Sequence, residues 1–375
     1  MKKIKIIHVL HSVGGVDVSL RHILNNIDDA TFENIVVHSD NDTEKEFLSS
    51  SKNKIKDYKL SIYRNISPLK DIKAILSTRR ILKKERPNLI HAHSAKGGVI
   101  SRLAAIGLNI KVLHTPQAYS YLSTSSTLKR IIYLQIEQIL AKLNSTLVAS
   151  SSSEQHRGIN EVKYNKENAM LFNNSINDIK VENKLTIEKT WPNNYICTVG
   201  RPSYQKNLEM MIKVISKIKQ KNSTIHLVIM GVGYYSPELE SIKKLIDSLE
   251  LKNNITLVEW TTQENIFTII DKSQAYITTA RYEGLPYSVI ESMAIGKPII
   301  ATDADGNRDL VTHNDNGYLL GFNQIDEMAT LTQEIIENKL LNEQFSEKSR
   351  KLFLENFNIS SNIKNLEMLY KSKLN

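Results

Sequence analysis

The chain has 375 residues, 41% hydrophobic and 24% charged, with a single cysteine and a formal net charge of +9. That length suits two domains or one large one, and that balance suits a globular protein. The lone Cys197 excludes an internal disulfide framework and fits a reducing cytoplasm, and no run of 18 or more apolar residues offers a membrane span.

The opening MKKIKIIHVLHS reads as a first buried strand, because its apolar run is short, is broken by His8 and His11, and precedes no small-residue cleavage site. SVGGVDVSLRHILNNI follows as a Gly-Gly turn opening a helix, and FENIVVHS as a second strand. SPLKDIKAILSTRRILKKERP reads as an amphipathic helix with Leu69, Ile72, Ile75 and Leu76 as its apolar positions, ended by Pro87. NLIHAHS and KVLHTP are further strands, TLKRIIYLQIEQILAKLN is a long helix, and STLVASSSSE is a strand running into a serine-rich turn. After a polar stretch at about 175–192, YICTVG, IHLVIMG, NITLVEW, QAYITTA and KPIIATD recur as buried strands with helical patterns between them, and a helical tail closes the chain. Alternation of strand and helix predicts parallel βαβ units in two doubly wound α/β halves. The halves are expected at 1–178 and 179–355, with the tail, 356–375, packing back on the first.

Residues 1–180 carry a net +11, leaving −2 for the rest. The excess lies between positions 51 and 130, so this half suits an anionic partner: nucleic acid, a membrane surface or an acidic substrate.

In open parallel sheets ligands bind beyond the carboxyl ends of the strands, and polar clusters fall there. Gly14-Gly15 follows the first strand and exposes backbone to a phosphate, or makes an ordinary tight turn. No GxGxxG accompanies it. GRPSYQKN places Arg201 and Lys206 in one loop, which suits a diphosphate or merely a solvated surface. RYEGLPYSVIESM has two acids, Glu283 and Glu291, around a Gly-Leu-Pro turn. Pro286 fits a helix's first turn, so the amides of Tyr287 and Ser288 would point at an anion. Glu283 lies before that helix and Glu291 in its second turn, where carboxylates accept from sugar hydroxyls. His91 and His93 are read as alternating to opposite sides of their strand, which disfavours a shared metal site. His91 is then a core histidine, while His93, Ser94 and Lys96 at the strand's end line an acceptor. The helix at 66–86 carries Lys70, Lys73, Arg79, Arg80, Lys83, Lys84 and Arg86, either a solvated face or a dock for an anionic membrane.

EGLPYSVIE resembles the E-x7-E motif of the retaining GT-B glycosyltransferases of family 4. GRPSYQKN, IMGVGYYSPELE and IATDADGNRDLV are similar to further segments of that family. RPNLIHAHSAKGGVISRLAA and HTPQAYSYL resemble the amino domain of enzymes that build bacterial capsule and O-antigen chains. The resemblance implies two Rossmann-like domains facing across a cleft, the first binding acceptor and the second a UDP-sugar. It implies that Arg201 and Lys206 neutralise the departing diphosphate, that Glu291 accepts from the ribose and Glu283 from the transferred sugar, and that backbone at Val258, Glu259 and Trp260 meets the base. Gly14, Gly15, Gly284, Leu285, Pro286, Tyr287 and Ser288 complete the expected donor site, with Asp17 and Tyr119 beside His93, Ser94 and Lys96 on the acceptor side. No metal and no cofactor are implied, the UDP-sugar being a co-substrate. Transfer would retain configuration by front-face displacement, a donor phosphate oxygen assisting deprotonation of the acceptor. The resemblance implies a hexose or N-acetylhexosamine moved to a polyprenyl-diphosphate-linked saccharide, by a cytoplasmic protein peripheral on the inner face of the bacterial plasma membrane and docked through helix 66–86.

Two positions depart from the pattern. Gln117 stands where relatives commonly carry the histidine of Thr-Pro-His, which contacts the transferred sugar, and a glutamine carries no charge. His114, three residues earlier, points elsewhere on its strand. Asp305 replaces a common glycine, so that Asp303-Ala304-Asp305 mimics the metal-binding DxD of the GT-A fold in a place that argues against that role. A UDP-sugar epimerase or a phosphorylase of the same fold remains an alternative. The latter needs a pyridoxal-phosphate lysine for which no convincing site is seen. A nucleic-acid-binding protein ranks below both, because the basic patches lack interleaved aromatics and a recognisable module. No nucleic acid is therefore expected as a partner.

Overall fold

A computed structural model describes every residue except 1, 2, 64–66, 183, 234, 235 and 375. Ile66, at the start of the expected basic helix, and Tyr234 and Tyr235 of the IMGVGYYSPELE segment thus lie outside the described residues. The chain divides into two units, residues 1–177 with 358–375, and residues 178–357.

The first unit is built on β1 (Ile4–Val9), α1 (Gly15–Asn26), β2 (Phe32–Ser39), β3 (Lys56–Leu60), α2 (Pro68–Glu85), β4 (Leu89–His93), α3 (Ser94–Ala104), β5 (Lys111–Thr115), α4 (Thr127–Ala141), β6 (Ser145–Ala149), α5 (Ser152–Asn160) and β7 (Ala169–Leu171). Its seven parallel strands run in the order β3-β2-β1-β4-β5-β6-β7. The central strands are buried on both faces because helices cover both faces. Ile7, Val9, Ile90 and Ala92 pack with Ala74, Ile81, Leu82 and Ile100 of α2 and α3. On the opposite face, Ile6, Leu89 and Leu113 pack with Ile23 of α1 and with Ile359, Ile363, Leu366 and Tyr370. The last four belong to the terminal helix, Ile359–Ser372, so the chain returns to this unit after completing the second.

The second unit continues with β8 (Ile196–Val199), α6 (Leu208–Lys219), β9 (Leu227–Val232), α7 (Leu239–Ser248), β10 (Ile255–Glu259), α8 (Gln263–Lys272), β11 (Tyr276–Thr278), α9 (Tyr287–Ala294), β12 (Ile299–Thr302), β13 (Gly317–Leu320), α10 (Ile325–Glu337) and α11 (Lys339–Asn356). Ile359–Ser372 is α12. The six parallel strands of the second unit run β10-β9-β8-β11-β12-β13. The core is formed by α6, through Met211, Ile212 and Ile215, against Ile196, Leu227, Ile229, Ile277 and Ile300. Two doubly wound parallel-sheet units are what the resemblance to the GT-B fold leads one to expect.

Two expectations are corrected here. On α2 the buried side chains are Ala74, Thr78, Ile81 and Leu82, whereas Leu69, Ile72 and Leu76 are exposed at 85%, 54% and 49%. The helix carries two apolar stripes, and the one with the smaller side chains is packed inward. His91 and His93 do not face opposite sides of β4. Residues two apart on a strand share a face, and their rings lie 4.1 Å apart. With His8, the register partner of His91 on β1, they form a fully buried group. His8 Nδ1 meets His93 Nε2 at 3.1 Å and His8 Nε2 meets Asn34 at 3.0 Å. His91 meets Tyr370 at 2.7 Å and Thr115 at 2.9 Å. Burial lowers all three pKa values, that of His8 to about 4, so the rings are neutral. Both nitrogens of His8 and of His91 are hydrogen-bonded, so these are satisfied core histidines, and His91 ties the terminal helix to the sheet through Tyr370.

Candidate functional site

In the second unit the strand order reverses between β8 and β11: the chain leaves β8 toward β9 on one side and later returns to β11 on the other. Such a switch point opens a crevice beyond the strand ends. The two loops that flank it are 200–207, after β8, and 279–286, after β11.

The loops are fastened to each other. Arg281 N donates to Gln205 O at 2.8 Å, and the Thr279 hydroxyl donates to Asn207 O at 2.9 Å. Lys206 Nζ lies 2.8 Å from Glu283 Oε1, and Gln205 Nε2 donates to Glu283 Oε2 at 2.9 Å. Two groups thus hold the Glu283 carboxylate, and its backbone is fixed separately, Glu283 N donating to Asp305 O at 3.0 Å. Two glycines permit the approach. At Gly200 a Cβ would sit 3.1 Å from the Lys206 side chain. At Gly306, whose φ is +80°, a Cβ would lie 2.8 Å from Glu283 Cβ and 3.0 Å from Gly284 O. Burial disfavours the charge on Lys206, but the Glu283 carboxylate outweighs it and leaves the lysine pKa raised. Lys206 therefore stays cationic, and Arg201 is close enough to be felt by it.

α9 begins at Tyr287, and Pro286 is its N-cap residue rather than a member of its first turn. Gly284, Leu285 and Pro286 are buried, so Leu285 offers a ligand only backbone. Glu291 is 9% exposed, and the one hydrogen bond described for its carboxyl group is from Gln263 Nε2 at 3.3 Å. Burial raises its pKa to about 7, against a smaller lowering by Gln263. The Val258 side chain is buried at the end of β10, and Trp260 is 63% exposed. A Cβ at Gly233 would meet the Trp260 ring at 2.7 Å, so the Gly-x-Gly turn makes room for the indole. Asp303 and Asp305, the pair resembling DxD, both bind Arg308, at 2.7 and 3.0 Å.

In the first unit the order reverses between β1 and β4. Gly14 caps α1 at φ +62° and Gly15 opens the helix. Asp17 in its first turn accepts from the Ser12 hydroxyl at 2.5 Å and from Arg21 Nε at 2.7 Å. Beyond β4, Lys96 Nζ contacts both carboxylate oxygens of Asp71 at 2.9 Å. Ser94 opens α3 with φ +65°. Gln117, at φ +52° after β5, has a buried Nε2 with no hydrogen-bond partner among the described residues. Its backbone bend is held by Glu154, which accepts from Ala118 N at 2.7 Å.

Two expected acceptor residues are corrected. His93 is fully buried against His8 and His91, and Tyr119 is 1% exposed within a cluster with Leu147, Ala149 and Val162. Neither side chain lines a surface, because strand-end position alone does not tell which face is capped by a helix. His114 is also fully buried, its Nε2 directed at Ser94 O at 3.2 Å. Residues that sequence reasoning missed are Gln205, Gln263, Gly306 and Asp305 O. Gln205 sat inside the singled-out loop, whereas Gln263 is 28 positions from Glu291 and carries no local signal.

Residues 182–352 match the family described as glycosyl transferases group 1, and residues 14–162 match the glycosyl transferase 4-like domain. The UDP-Gal:alpha-D-GlcNAc-diphosphoundecaprenol alpha-1,3-galactosyltransferase of Escherichia coli is 26% identical over 83% of this chain and 82% of its own. The capsular polysaccharide biosynthesis glycosyltransferase CapM of Staphylococcus aureus is 24% identical over 100% of this chain and 98% of its own. Anabaena HepE, solved in complex with UDP and glucose, superposes with a TM-score of 0.80 at 16% identity, covering 98% of this chain and 100% of that one. The two family matches together span most of the chain, and the chain is a glycosyltransferase of the GT-B fold, a 4-like domain followed by a group 1 domain.

Proposed function

We propose that this glycosyltransferase retains configuration while moving a hexose or N-acetylhexosamine from a UDP-sugar to a polyprenyl-diphosphate-linked saccharide in capsule or O-antigen synthesis. The observation that carries the reading is the grouping of Lys206, Gln205 and Glu283 beside the start of α9, with Glu291 buried along that helix. A diphosphate at the helix start meets first-turn amides and the positive end of the dipole. Lys206, kept cationic by Glu283, and Arg201 stabilise the negative charge that grows on the leaving UDP. Glu283 accepts from hydroxyls of the transferred sugar, and Glu291 from the ribose. The base meets backbone near Val258, Glu259 and Trp260. A phosphate oxygen of the donor assists deprotonation of the acceptor, so neither a metal nor a cofactor has a step. Gly14, Gly15, Asp17, Ser94, Lys96 and Gln117 remain the first unit's candidate contacts.

The relatives support the donor and the pathway: one is a UDP-galactose transferase acting on a diphosphoundecaprenol-linked sugar, and another is a capsule enzyme. Among the described residues no helix is long and apolar enough to cross a membrane. Because its acceptor is lipid-linked, the reading has the chain peripheral on the inner face of the plasma membrane, docked through the cations of α2.

Calorimetric titration with UDP, without added metal, tests the reading. Binding by the wild type that Arg201→Ala and Glu291→Ala each abolish supports it. Binding unaffected by both substitutions overturns the donor site. Turnover of a UDP-sugar without any acceptor favours the epimerase alternative.

A further inference from the structure

The candidate acceptor contacts named so far all belong to the first unit, yet the hydroxyl that receives the sugar must meet the donor beside Glu283 and Lys206. One aromatic side chain of the second unit is placed to meet it there. Tyr204 lies in the loop 200–207, two residues before Lys206, so its Cα is within about 7 Å of that lysine's. The Glu283 and Lys206 side chains are largely buried, whereas Tyr204 is 42% exposed.

The exposed ring is held still. The Arg281 guanidinium lies 4.5 Å from the ring centroid. It also donates through Nη1 to Tyr204 O at 2.6 Å, and Arg281 N donates to Gln205 O. The next two residues, Gln205 and Lys206, both reach the Glu283 carboxylate. An exposed tyrosine on a loop ordinarily gives up rotamer freedom when a ligand covers it, and here contacts within the protein have already fixed it. The cation covers one face of the ring, and the exposed area lies on the remainder.

We infer that Tyr204, positioned by Arg281, is a stacking platform for the terminal sugar of the acceptor, so that the second unit carries part of the acceptor site. The assignment rests on the donor site proposed above. A pyranose carries its equatorial hydroxyls around its rim and presents C–H groups on its faces, and such a face packs on an aromatic ring while the rim stays wet. The nucleobase is not the occupant. It is expected at the end of β10, which β9 separates from β8, whereas the loop of Tyr204 is fastened to the loop after β11, on the other side of β8. The transferred sugar is assigned to Glu283, and the chain steps outward from that carboxylate through Lys206 and Gln205 to Tyr204. The next sugar ring out is the acceptor's.

The test is saturation-transfer NMR on the full chain loaded with UDP. The probes are the methyl glycosides of glucose, galactose, mannose, rhamnose, N-acetylglucosamine and N-acetylgalactosamine, in both anomers. The wild type should saturate protons along one face of at least one of them. Tyr204→Ala should weaken binding of that glycoside about tenfold or more, and Tyr204→Phe about threefold or less, because the ring is the platform. Calorimetric affinity for UDP should be unchanged in both variants, and a parallel loss of UDP would make the tyrosine part of the donor site instead. Equal glycoside binding by the wild type and Tyr204→Ala overturns the assignment, and so does a wild type that binds UDP but saturates no glycoside. Displacement of the glycoside, without transfer to it, when UDP-galactose or UDP-N-acetylglucosamine replaces UDP puts it in the place of the transferred sugar and overturns the acceptor assignment as well. A wild type that binds no UDP refutes the donor site itself, on which the assignment rests.

Discussion

Glu291 gives the donor site a pH signature. Its carboxyl is raised to about 7 by burial, whereas a ribose diol is best held by the ionised form, which accepts at both oxygens. With that pKa the group is about one-tenth ionised at pH 6 and about nine-tenths ionised at pH 8. If UDP binds the ionised form, affinity should fall about tenfold from pH 8 to pH 6, about 1.4 kcal/mol. Binding at pH 6 should also release close to one proton. Calorimetry in buffers of different ionisation enthalpy measures both quantities. Titration of UDP's own phosphate is common to all proteins, so the informative quantity is the difference between the wild type and Glu291→Gln. The variant should lose the carboxyl-linked part of the slope and of the proton release. Identical pH dependence in the two proteins would refute a ribose contact through Glu291.

The same carboxyl affects folding. A raised folded-state pKa means that its contribution is complete below about pH 4.5 and is lost as pH rises to about 7. Glu291→Gln should therefore be more stable than the wild type above pH 7, by up to about 3 kcal/mol, with no such gain at pH 4.5, as read by urea unfolding. Replacing Arg102 by Met leaves Glu137, its ion-pair partner at 2.8 Å, buried and unpaired, and should cost about 3–5 kcal/mol in the same assay. Gly306→Ala forces a Cβ against Glu283 at a φ of +80°, costing about 1–3 kcal/mol and lowering sugar transfer more than UDP affinity. Truncation before Asn358 removes Ile359, Ile363, Leu366 and Tyr370 from the first core, and should leave an aggregating chain rather than a smaller folded one.

The parallel sheets were legible because strands covered on both faces are largely apolar, as IHLVIMG and YICTVG are. The strand KDYKL was not, since it lies at a sheet edge, half exposed, and its charges resemble a loop. GYLL was missed for want of length. The facing of His91 and His93 was recoverable from the strand period of two, and the expectation of opposite faces misapplied that period.

The amino-acid sequence by itself determined the alternation of strand and helix, the loops at the strand ends and the segments by which the family is recognised, because these depend on neighbours within a few positions. Only the tertiary structure decided which atoms meet. Lys206 and Glu283 are 77 positions apart, and Gln263 and Glu291 are 28 apart. The raised pKa of Glu291 comes from surroundings assembled by several elements. Tertiary structure also chose which stripe of α2 turned inward. Helical periodicity says that an apolar face exists, and the packing of neighbouring elements says what covers it.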